Sequence, residues 1–115
     1  MHSSFWKRLE KLVSSTKLVI DRPKGTAHPR YPEVVYPLDY GYLEGTTAAD
    51  GGGIDVWRGS DLNAVLDAIV CTVDSLKKDT EIKLLLGCTQ DEKKVVLQFH
   101  HNNYMAAILV ERNSD

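Results

Sequence analysis

The sequence predicts a small domain of mainly β class, an α+β arrangement in which five or six short strands form a small barrel or a strongly curled sheet. Two observations lead to this prediction: short apolar segments recur at close spacing, and one long helix is marked late in the chain. A chain of 115 residues, 43% hydrophobic and 26% charged, also has the size and composition of one folded domain. We therefore expect a single domain over 1–115.

The first half of the chain predicts one helix and three strands. Residues 3–14 form the helix candidate, because Phe5, Leu9 and Leu12 fall on one face and a serine can cap the start. The strand candidates are residues 17–21, 40–45 and 54–59. All four prolines lie in 22–37, which excludes a helix there and permits only an edge-type strand.

The second half predicts three strands and a longer helix. The apolar stretches are residues 64–73, 79–88 and 105–110. Thr89 and Glu92 have the spacing of a capping box, in which each side chain bonds the backbone N–H of the other residue. This spacing predicts a helix over 90–101, with Val96 and Phe99 facing inward together with Val95.

Four polar residues of that helix receive simple structural interpretations. Lys93 and Lys94 are typical of a solvated helix face. His100 and His101 stand near the helix end, where a charged imidazole interacts favourably with the helix dipole. We therefore expect no catalytic role for either histidine.

Charge and composition argue against several functional classes. A net charge of −2 gives no general basic field for a nucleic-acid backbone, and no apolar run approaches the ~20 residues of a membrane helix. The N-terminal residues lack the apolar region of a signal peptide. Cys71 and Cys88 are far apart and outside any zinc-type spacing, which favours buried reduced thiols. These features predict a cytoplasmic protein with neither a nucleic-acid nor a membrane partner.

Residues that bind ions and phosphates are concentrated in 21–55, where tyrosines, carboxylates and cations accompany five glycines between 41 and 53. Asp50 precedes a glycine-rich turn, and Asp55 lies on the strand that follows it. Because Asp55 alternates with Ile54 and Val56, we expect it to face away from the core. Two carboxylates in this arrangement indicate either a site for a hard cation or a structural turn.

The order of two motifs resembles the soluble inorganic pyrophosphatases of the Mg-dependent, OB-barrel type. The chain has YPLDYGY at 36–42 and DGGGIDV at 50–56, where that family carries YP-x-N-Y-G-Y and then D-G-D-P-x-D. Residues 20–23, IDRP, resemble an earlier strand of the family, and the resemblance extends over about 19–83. It implies an OB-like closed β-barrel with a C-terminal helix, hydrolysis of pyrophosphate to two phosphates with Mg²⁺ or Mn²⁺, and a tendency to form homo-oligomers.

The resemblance also implies roles for particular residues. Asp55 and Tyr40 would be catalytic, with Asp55 also a metal ligand. The implied metal ligands are Asp50, Asp55, Asp74, Glu81 and Asp21. The implied contacts to pyrophosphate, or to another small phosphate compound, are Arg30, Lys83 and Tyr104.

Three departures from the family pattern define an alternative function. Gly52 occupies the position of the middle metal-binding aspartate, Pro32 that of a glutamate and Met105 that of a lysine. A lost metal ligand implies an incomplete metal site. The alternative is a catalytically impaired member of the family that acts as a phosphate-binding, metal-binding or assembly module. A third interpretation, an OB-like barrel that binds nucleic acid, is disfavoured by the net charge.

Overall fold

The computed structural model describes residues 3–112. The chain is mainly β, as predicted, with a six-stranded sheet and two helices. The helices are α1 (Ser3–Ser15) and α2 (Gln90–Phe99). The strands are β1 (Leu18–Arg22), β2 (Asp39–Leu43), β3 (Ile54–Arg58), β4 (Leu66–Asp74), β5 (Asp79–Leu86) and β6 (Met105–Glu111). Every element lies where the sequence predicts it, with ends that differ by no more than two residues.

The strands are ordered β1-β2-β3-β5-β4-β6 across the sheet. All neighbours are antiparallel except β3 and β5, which run parallel with Val56 beside Leu84. Two hairpins, β2–β3 and β4–β5, therefore meet along one parallel seam. Among residues 3–112 no strand pairing joins β1 to β6, so both strands are edges of the sheet.

Both faces of the central strands carry a buried apolar cluster. On one face Val56 and Leu84 pack beneath Trp6 of α1, and we call this the α1 face. On the other face Trp57 and Leu85 pack beneath Val96 of α2 and beneath the proline-rich segment, and we call this the α2 face. Successive residues of a strand point to opposite faces. Asp55 therefore faces away from Val56, as predicted, but onto a face that has a core of its own.

Helix α1 docks through Trp6, which is only 3% exposed. Leu9 and Leu12 pack against the same cluster, as the apolar spacing predicts. Phe5, at the start of the helix, does not have the predicted buried position, because 43% of its surface is exposed. The helix consequently covers the sheet from Trp6 onward and leaves the region near Phe5 open.

Helix α2 begins at the predicted capping box. The Thr89 hydroxyl accepts from the backbone N–H of Glu92, and the Glu92 carboxylate accepts from that of Thr89. The predicted inward face is right for Val96, which is fully buried, and wrong for Val95, which is 44% exposed. Val96 of α2 packs against the sheet, whereas the preceding residue, Val95, faces solvent.

The prediction that Lys93 is solvated is wrong. Its side chain is 2% exposed, and its Nζ lies 3.2 Å from Asp67 Oδ2 and 3.7 Å from Glu111 Oε2. Lys94 is exposed, as predicted. Lys93 is buried because carboxylates from β4 and β6 pair with it. The sequence pattern of the helix alone does not reveal these partners.

The proline-rich segment has one isolated β-bridge, between Ala27 and Val35, and is otherwise irregular as predicted. Asp39 ties it to the sheet, because its carboxylate accepts from the backbone N–H of Lys24 at 2.8 Å and pairs with Arg58 at 3.0 Å. The Lys24 hydrogen bond, followed by the Arg58 bond, lowers the pKa of Asp39. The segment is thereby held against the α2 face.

Neither cysteine forms a disulfide: Cys88 is buried, and Cys71 is partly buried. Burial, reinforced by the nearby Glu92 carboxylate, raises the pKa of the Cys88 thiol to about 12. No helix within residues 3–112 has the length and apolarity needed to span a bilayer.

Candidate functional site

The ammonium group of Lys83 is the centre of a polar cluster on the α2 face. Its Nζ lies 2.7 Å from the Tyr40 hydroxyl, 2.8 Å from Asp55 Oδ2 and 2.9 Å from Glu81 Oε2. The side chain of Lys83 is only 8% exposed, and those of Asp55 and Glu81 are 27% and 19% exposed. An ammonium group has three N–H donors, so each has one acceptor here.

Strand register brings these four residues together. Tyr40 is opposite Trp57 on β3, and Trp57 is beside Leu85 on β5. Asp55 and Lys83 each lie two residues before these positions, and they therefore point to the same face one step along the sheet. Glu81 lies two residues before Lys83 on β5 and therefore points to the same face. The parallel seam between β3 and β5 is what places the carboxylate of one hairpin beside the lysine of the other.

An aromatic cluster covers the inner side of the polar group. The Tyr40 ring lies 4.5 Å from Trp57 and 5.4 Å from Tyr36, measured between ring centroids. Phe99 from α2 completes the cluster, at 5.2 Å from Trp57. The Lys83 Nζ also lies 5.3 Å from the centre of the Tyr40 ring. The phenol group of Tyr40 therefore joins an apolar interior to a charged rim.

Burial and charge affect the two central groups differently. Burial raises the pKa of Tyr40 above its usual value of 10.0, so the hydroxyl stays protonated at neutral pH. Burial by itself would lower the pKa of Lys83, but the adjacent Tyr40 and Asp55 outweigh that effect and raise it above 10.5. The cluster thus has a permanent cation at neutral pH, surrounded by oxygen acceptors.

Asp50 adds a third carboxylate at the rim. Its Oδ1 accepts a hydrogen bond from the backbone N–H of Gly52 at 3.0 Å. The hydrogen bond from Gly52 is the main cause that lowers the pKa of Asp50, and the Glu81 side chain is the second. Three carboxylates then accompany one ammonium group, and the outer side of the cluster is acidic.

Mg²⁺ prefers carboxylate oxygens, so the chemistry of Asp50, Asp55 and Glu81 fits such an ion. Their arrangement is less complete. Within residues 3–112 no three histidine, cysteine, aspartate or glutamate side chains are placed to hold one metal ion. Lys83 occupies the space between Asp55 and Glu81 and supplies the positive charge there.

Four other residues to which the resemblance assigns roles make no hydrogen bond or ion pair with this cluster. Asp74 lies at the end of the β4–β5 hairpin, where its Oδ1 accepts the backbone N–H groups of Leu76 and Lys77. Asp21 is an exposed residue at the irregular pairing of the β1 edge. The remaining two, Arg30 in the proline-rich segment and Tyr104 before β6, are exposed.

Sequence reasoning missed the partnership between Arg22 and Tyr36. Arg22 is opposite Tyr40 on the neighbouring strand, and its Nη1 lies 2.5 Å from the Tyr36 hydroxyl. Its guanidinium also lies over the Tyr36 ring, at 5.5 Å from the centre. Arg22 is therefore a second cation on the Tyr40 side of the site. The IDRP segment contained this signal, although the resemblance drew attention to Asp21 instead.

His100 differs from its prediction. The side chain is 5% exposed, and its Nε2 accepts a hydrogen bond from Trp57 Nε1 at 3.0 Å. Burial lowers the pKa of His100 to about 4, so the imidazole is neutral at physiological pH. The prediction that a charged His100 interacts favourably with the helix dipole is therefore wrong. The residue instead holds the Trp57 indole in place beneath Tyr40.

Comparison of this chain with models of known protein families and with curated proteins finds no match.

Proposed function

We propose that this chain is a pyrophosphatase-like domain that hydrolyses a small phosphoanhydride, with pyrophosphate as the first candidate, at the Lys83 cluster. One observation carries the proposal. Tyr40, Asp55, Glu81 and Lys83 were singled out by resemblance at separations of up to 43 residues, and they lie within hydrogen-bonding distance of one ammonium group. The meeting of these residues from separate strands supports the proposal.

The fold part of the proposal is an OB-like barrel. It is supported by the run β1-β2-β3-β5-β4, in which two antiparallel hairpins meet at one parallel pair. OB-folds are partly open five-stranded Greek-key barrels. Hydrogen bonds between the two edge strands, β1 and β6, in an experimental structure would bear this out, whereas a sheet in which both edges stay unpaired would contradict it.

Each residue of the cluster has a distinct proposed role. Lys83 and Arg22 supply positive charge for the phosphate oxygens, and the Tyr40 hydroxyl donates a hydrogen bond to the anion. Asp55 orients the ammonium group and accepts a proton from the attacking water. A phosphate oxygen that reaches Lys83 must replace one of its three present acceptors, so substrate binding rearranges the cluster.

Asp50, Asp55 and Glu81 are the residues that would hold Mg²⁺. When bound, the ion would neutralise the charge of the phosphoanhydride and acidify a water molecule. The chain itself supplies an acidic rim that favours cations and a buried aromatic wall that strengthens electrostatic interactions inside the site.

Phosphate release from pyrophosphate in the presence of Mg²⁺ tests hydrolysis. We expect the wild-type protein to be active and Asp55→Asn to be slower by about 100-fold or more. Asp91→Asn is the matched control, because Asp91 is exposed on α2 and makes no contact with Lys83. Equal rates in wild type and Asp55→Asn would contradict the proposal.

A second candidate function is binding without turnover, in which the domain captures a phosphate compound or a divalent cation. It is favoured because all three N–H groups of the Lys83 ammonium already have acceptors. It is also favoured by Gly52, which stands where the resemblance places a metal-binding aspartate. Calorimetric titration with pyrophosphate, with and without Mg²⁺, separates the two candidates. Binding that Asp55→Asn weakens, without phosphate release, supports capture, and absence of both binding and release contradicts both.

A further inference from the structure

Four aromatic rings lead from the Lys83 cluster to the surface of the proline-rich segment, and we call them the aromatic row. The Lys83 Nζ lies 5.3 Å from the centre of the Tyr40 ring, and that ring lies 5.4 Å from the Tyr36 ring. The His28 ring lies 6.2 Å from Tyr36 at an angle of 13°, and the Tyr31 ring lies 5.2 Å from His28. The row therefore begins at a cation and ends in solvent, where Tyr31 is 51% exposed.

The outer end of the aromatic row is held in a fixed shape. The backbone N–H of His28 donates to the carbonyl of Val34 at 2.8 Å. The His28 Nδ1 accepts the backbone N–H groups of Arg30 and Tyr31, at 3.0 and 3.3 Å. In a neutral imidazole whose Nδ1 is an acceptor, Nε2 has the proton and is a donor. His28 and Tyr31 are thus positioned before any ligand binds, which reduces the entropic cost of binding.

Arg22 places a second cation beside the middle of the aromatic row. It is opposite Tyr40 on the neighbouring strand, and its Nη1 donates to the Tyr36 hydroxyl at 2.5 Å. A guanidinium group has five N–H donors, and within residues 3–112 this is the one hydrogen bond that the Arg22 side chain makes. The remaining donors can bind a phosphate group in bidentate geometry. Lys83 and Arg22 therefore offer two phosphate contacts at successive tyrosines of the row.

We propose that the phosphoanhydride bound at this site is that of a nucleoside diphosphate. Its two phosphates contact Arg22 and Lys83, and its base stacks on Tyr31 beside the Nε2 donor of His28. Nucleobases of every kind stack on aromatic side chains, because each has a flat π surface. Free pyrophosphate has no group that could use the outer end of the aromatic row. The inference rests on the proposed function and names its substrate class.

The order of groups along the aromatic row determines the orientation of the nucleotide. With the base at Tyr31, the α-phosphate lies at Arg22 and the terminal β-phosphate lies at Lys83, which Asp55 contacts at 2.8 Å. A water molecule attacks the β-phosphorus, and Asp55 accepts the proton that the water releases. The bond between the β-phosphorus and the bridging oxygen breaks, and that oxygen leaves on the α-phosphate. The products are a nucleoside monophosphate and orthophosphate.

Two non-hydrolysable analogues that differ only in the nucleoside test the inference. Methylenediphosphonate replaces pyrophosphate, and adenosine 5′-(α,β-methylene)diphosphate is the same group linked to adenosine. Calorimetric titration of the wild-type protein in the presence of Mg²⁺ should show at least about tenfold tighter binding of the adenosine compound. Equal affinities for the two analogues would overturn the inference.

Two variants of Tyr31 locate the contribution of the base. Tyr31→Ala should weaken binding of the adenosine compound by about tenfold and leave methylenediphosphonate binding unchanged. Tyr31→Phe is the matched control, because it keeps the ring, and it should bind both analogues like the wild type. An equal loss for both analogues in Tyr31→Ala would overturn the inference, because Tyr31 would then only support the segment.

The remaining outcomes separate this inference from the proposed function. Phosphate release from pyrophosphate but not from ADP would overturn the nucleoside diphosphate as substrate and leave the proposed function intact. Absence of binding to either analogue, together with absence of phosphate release, would overturn both. Tighter binding of a single-stranded oligodeoxythymidylate than of the adenosine compound would indicate a nucleic-acid strand as the ligand and would overturn the inference as well.

Discussion

The ammonium group of Lys83 donates a hydrogen bond to the hydroxyl of Tyr40 at 2.7 Å, although 43 positions separate the two residues in the sequence. The bond connects the β2–β3 hairpin to the β4–β5 hairpin across the parallel seam. It also connects a buried aromatic cluster to an acidic rim, because Lys83 bonds Asp55 and Glu81 as well. The stability of the fold and the chemistry of the site therefore depend on the same ammonium group.

Stability should fall at alkaline pH because of this pair. The folded-state pKa values of Lys83 and Tyr40 are both raised above their ordinary values of 10.5 and 10.0. At alkaline pH the folded protein retains protons that the unfolded chain has lost. The contribution of Lys83 and Tyr40 to the free energy of unfolding is therefore complete below about pH 10 and is lost above it. Urea denaturation should show a flat free energy of unfolding from pH 7 to 8, a decrease that begins near pH 9, where the raised pKa of Cys88 also contributes, and a steeper decrease above 10.

Tyr40→Phe is the variant that isolates this effect, because it removes one of the two titrating groups and keeps the ring. It should show a shallower alkaline decrease than wild type. Tyr31→Phe is the matched control, since Tyr31 is 51% exposed. An identical alkaline slope in Tyr40→Phe and wild type would contradict the assignment.

Stability should also fall at mildly acidic pH because of His100. Its pKa is lowered to about 4 in the folded protein, against 6.5 for the free side chain. The unfolded chain then takes up a proton first, so the contribution is present above pH 6.5 and is lost between pH 6.5 and 4. The loss is on the order of 3 kcal/mol. His100→Gln, which keeps an acceptor for Trp57, should flatten the acid limb, whereas His101→Gln should not.

The buried lysine of α2 should matter more than its neighbour. Lys93→Met leaves Asp67 and Glu111 without their shared cation, and Asp67 Oδ1 is already buried without a hydrogen-bond partner. We expect a loss of about 2 kcal/mol in the free energy of unfolding, less than for a fully buried pair because both carboxylates are partly exposed. The exposed control, Lys94→Met, should change it by less than about 0.5 kcal/mol. Equal losses in the two variants would show that the ion pairs contribute nothing.

Gly41 should tolerate no side chain. A Cβ there would lie within 3 Å of the Val19 backbone, closer than any real contact. Gly41→Ala should therefore separate β1 from β2 and lower the free energy of unfolding by several kcal/mol. Gly52→Ala is the control, because a Cβ at Gly52 meets only Asp50 Oδ1 at 3.5 Å. Thermal unfolding of both variants measures the difference, and a stable Gly41→Ala protein would contradict the β1–β2 register.

The open space at Gly52 also allows the missing carboxylate to be restored. If the proposed function is right, Gly52→Asp should raise the affinity for Mn²⁺ or Mg²⁺ by about tenfold or more. Gly52→Asn is the matched control, with the same shape and no charge. Calorimetric titration that finds equal affinities for the two variants would contradict a metal site at Asp50, Asp55 and Glu81.

Local signals were sufficient to predict the elements of the fold. The capping box of Thr89 and Glu92 is complete within four residues, and its geometry is the predicted one. Short apolar stretches likewise located all six strands. Strand order does not follow from such patterns, because the parallel contact between Val56 and Leu84 joins segments that no local periodicity connects.

The candidate site could be predicted only in part for the same reason. Motif similarity selected Tyr40 and Lys83, but it could not show that Asp74 is used in a turn of its own hairpin. The mistaken predictions for Lys93 and His100 have a related origin. Their partners, Asp67 and Trp57, come from distant strands, and a helix position is polar or apolar only with respect to what packs against it.

The parallel seam between β3 and β5 has a consequence for the folding of this chain. Tyr40 and Asp55 belong to one hairpin, and Glu81 and Lys83 belong to the other, so neither hairpin alone contains a site. The two halves meet only when the hairpins dock, a step that closes a long loop and is entropically costly. A partly folded chain can therefore retain most of its hydrogen-bonded strands and still be unable to bind anything at Lys83, which makes the site a marker of completed tertiary structure.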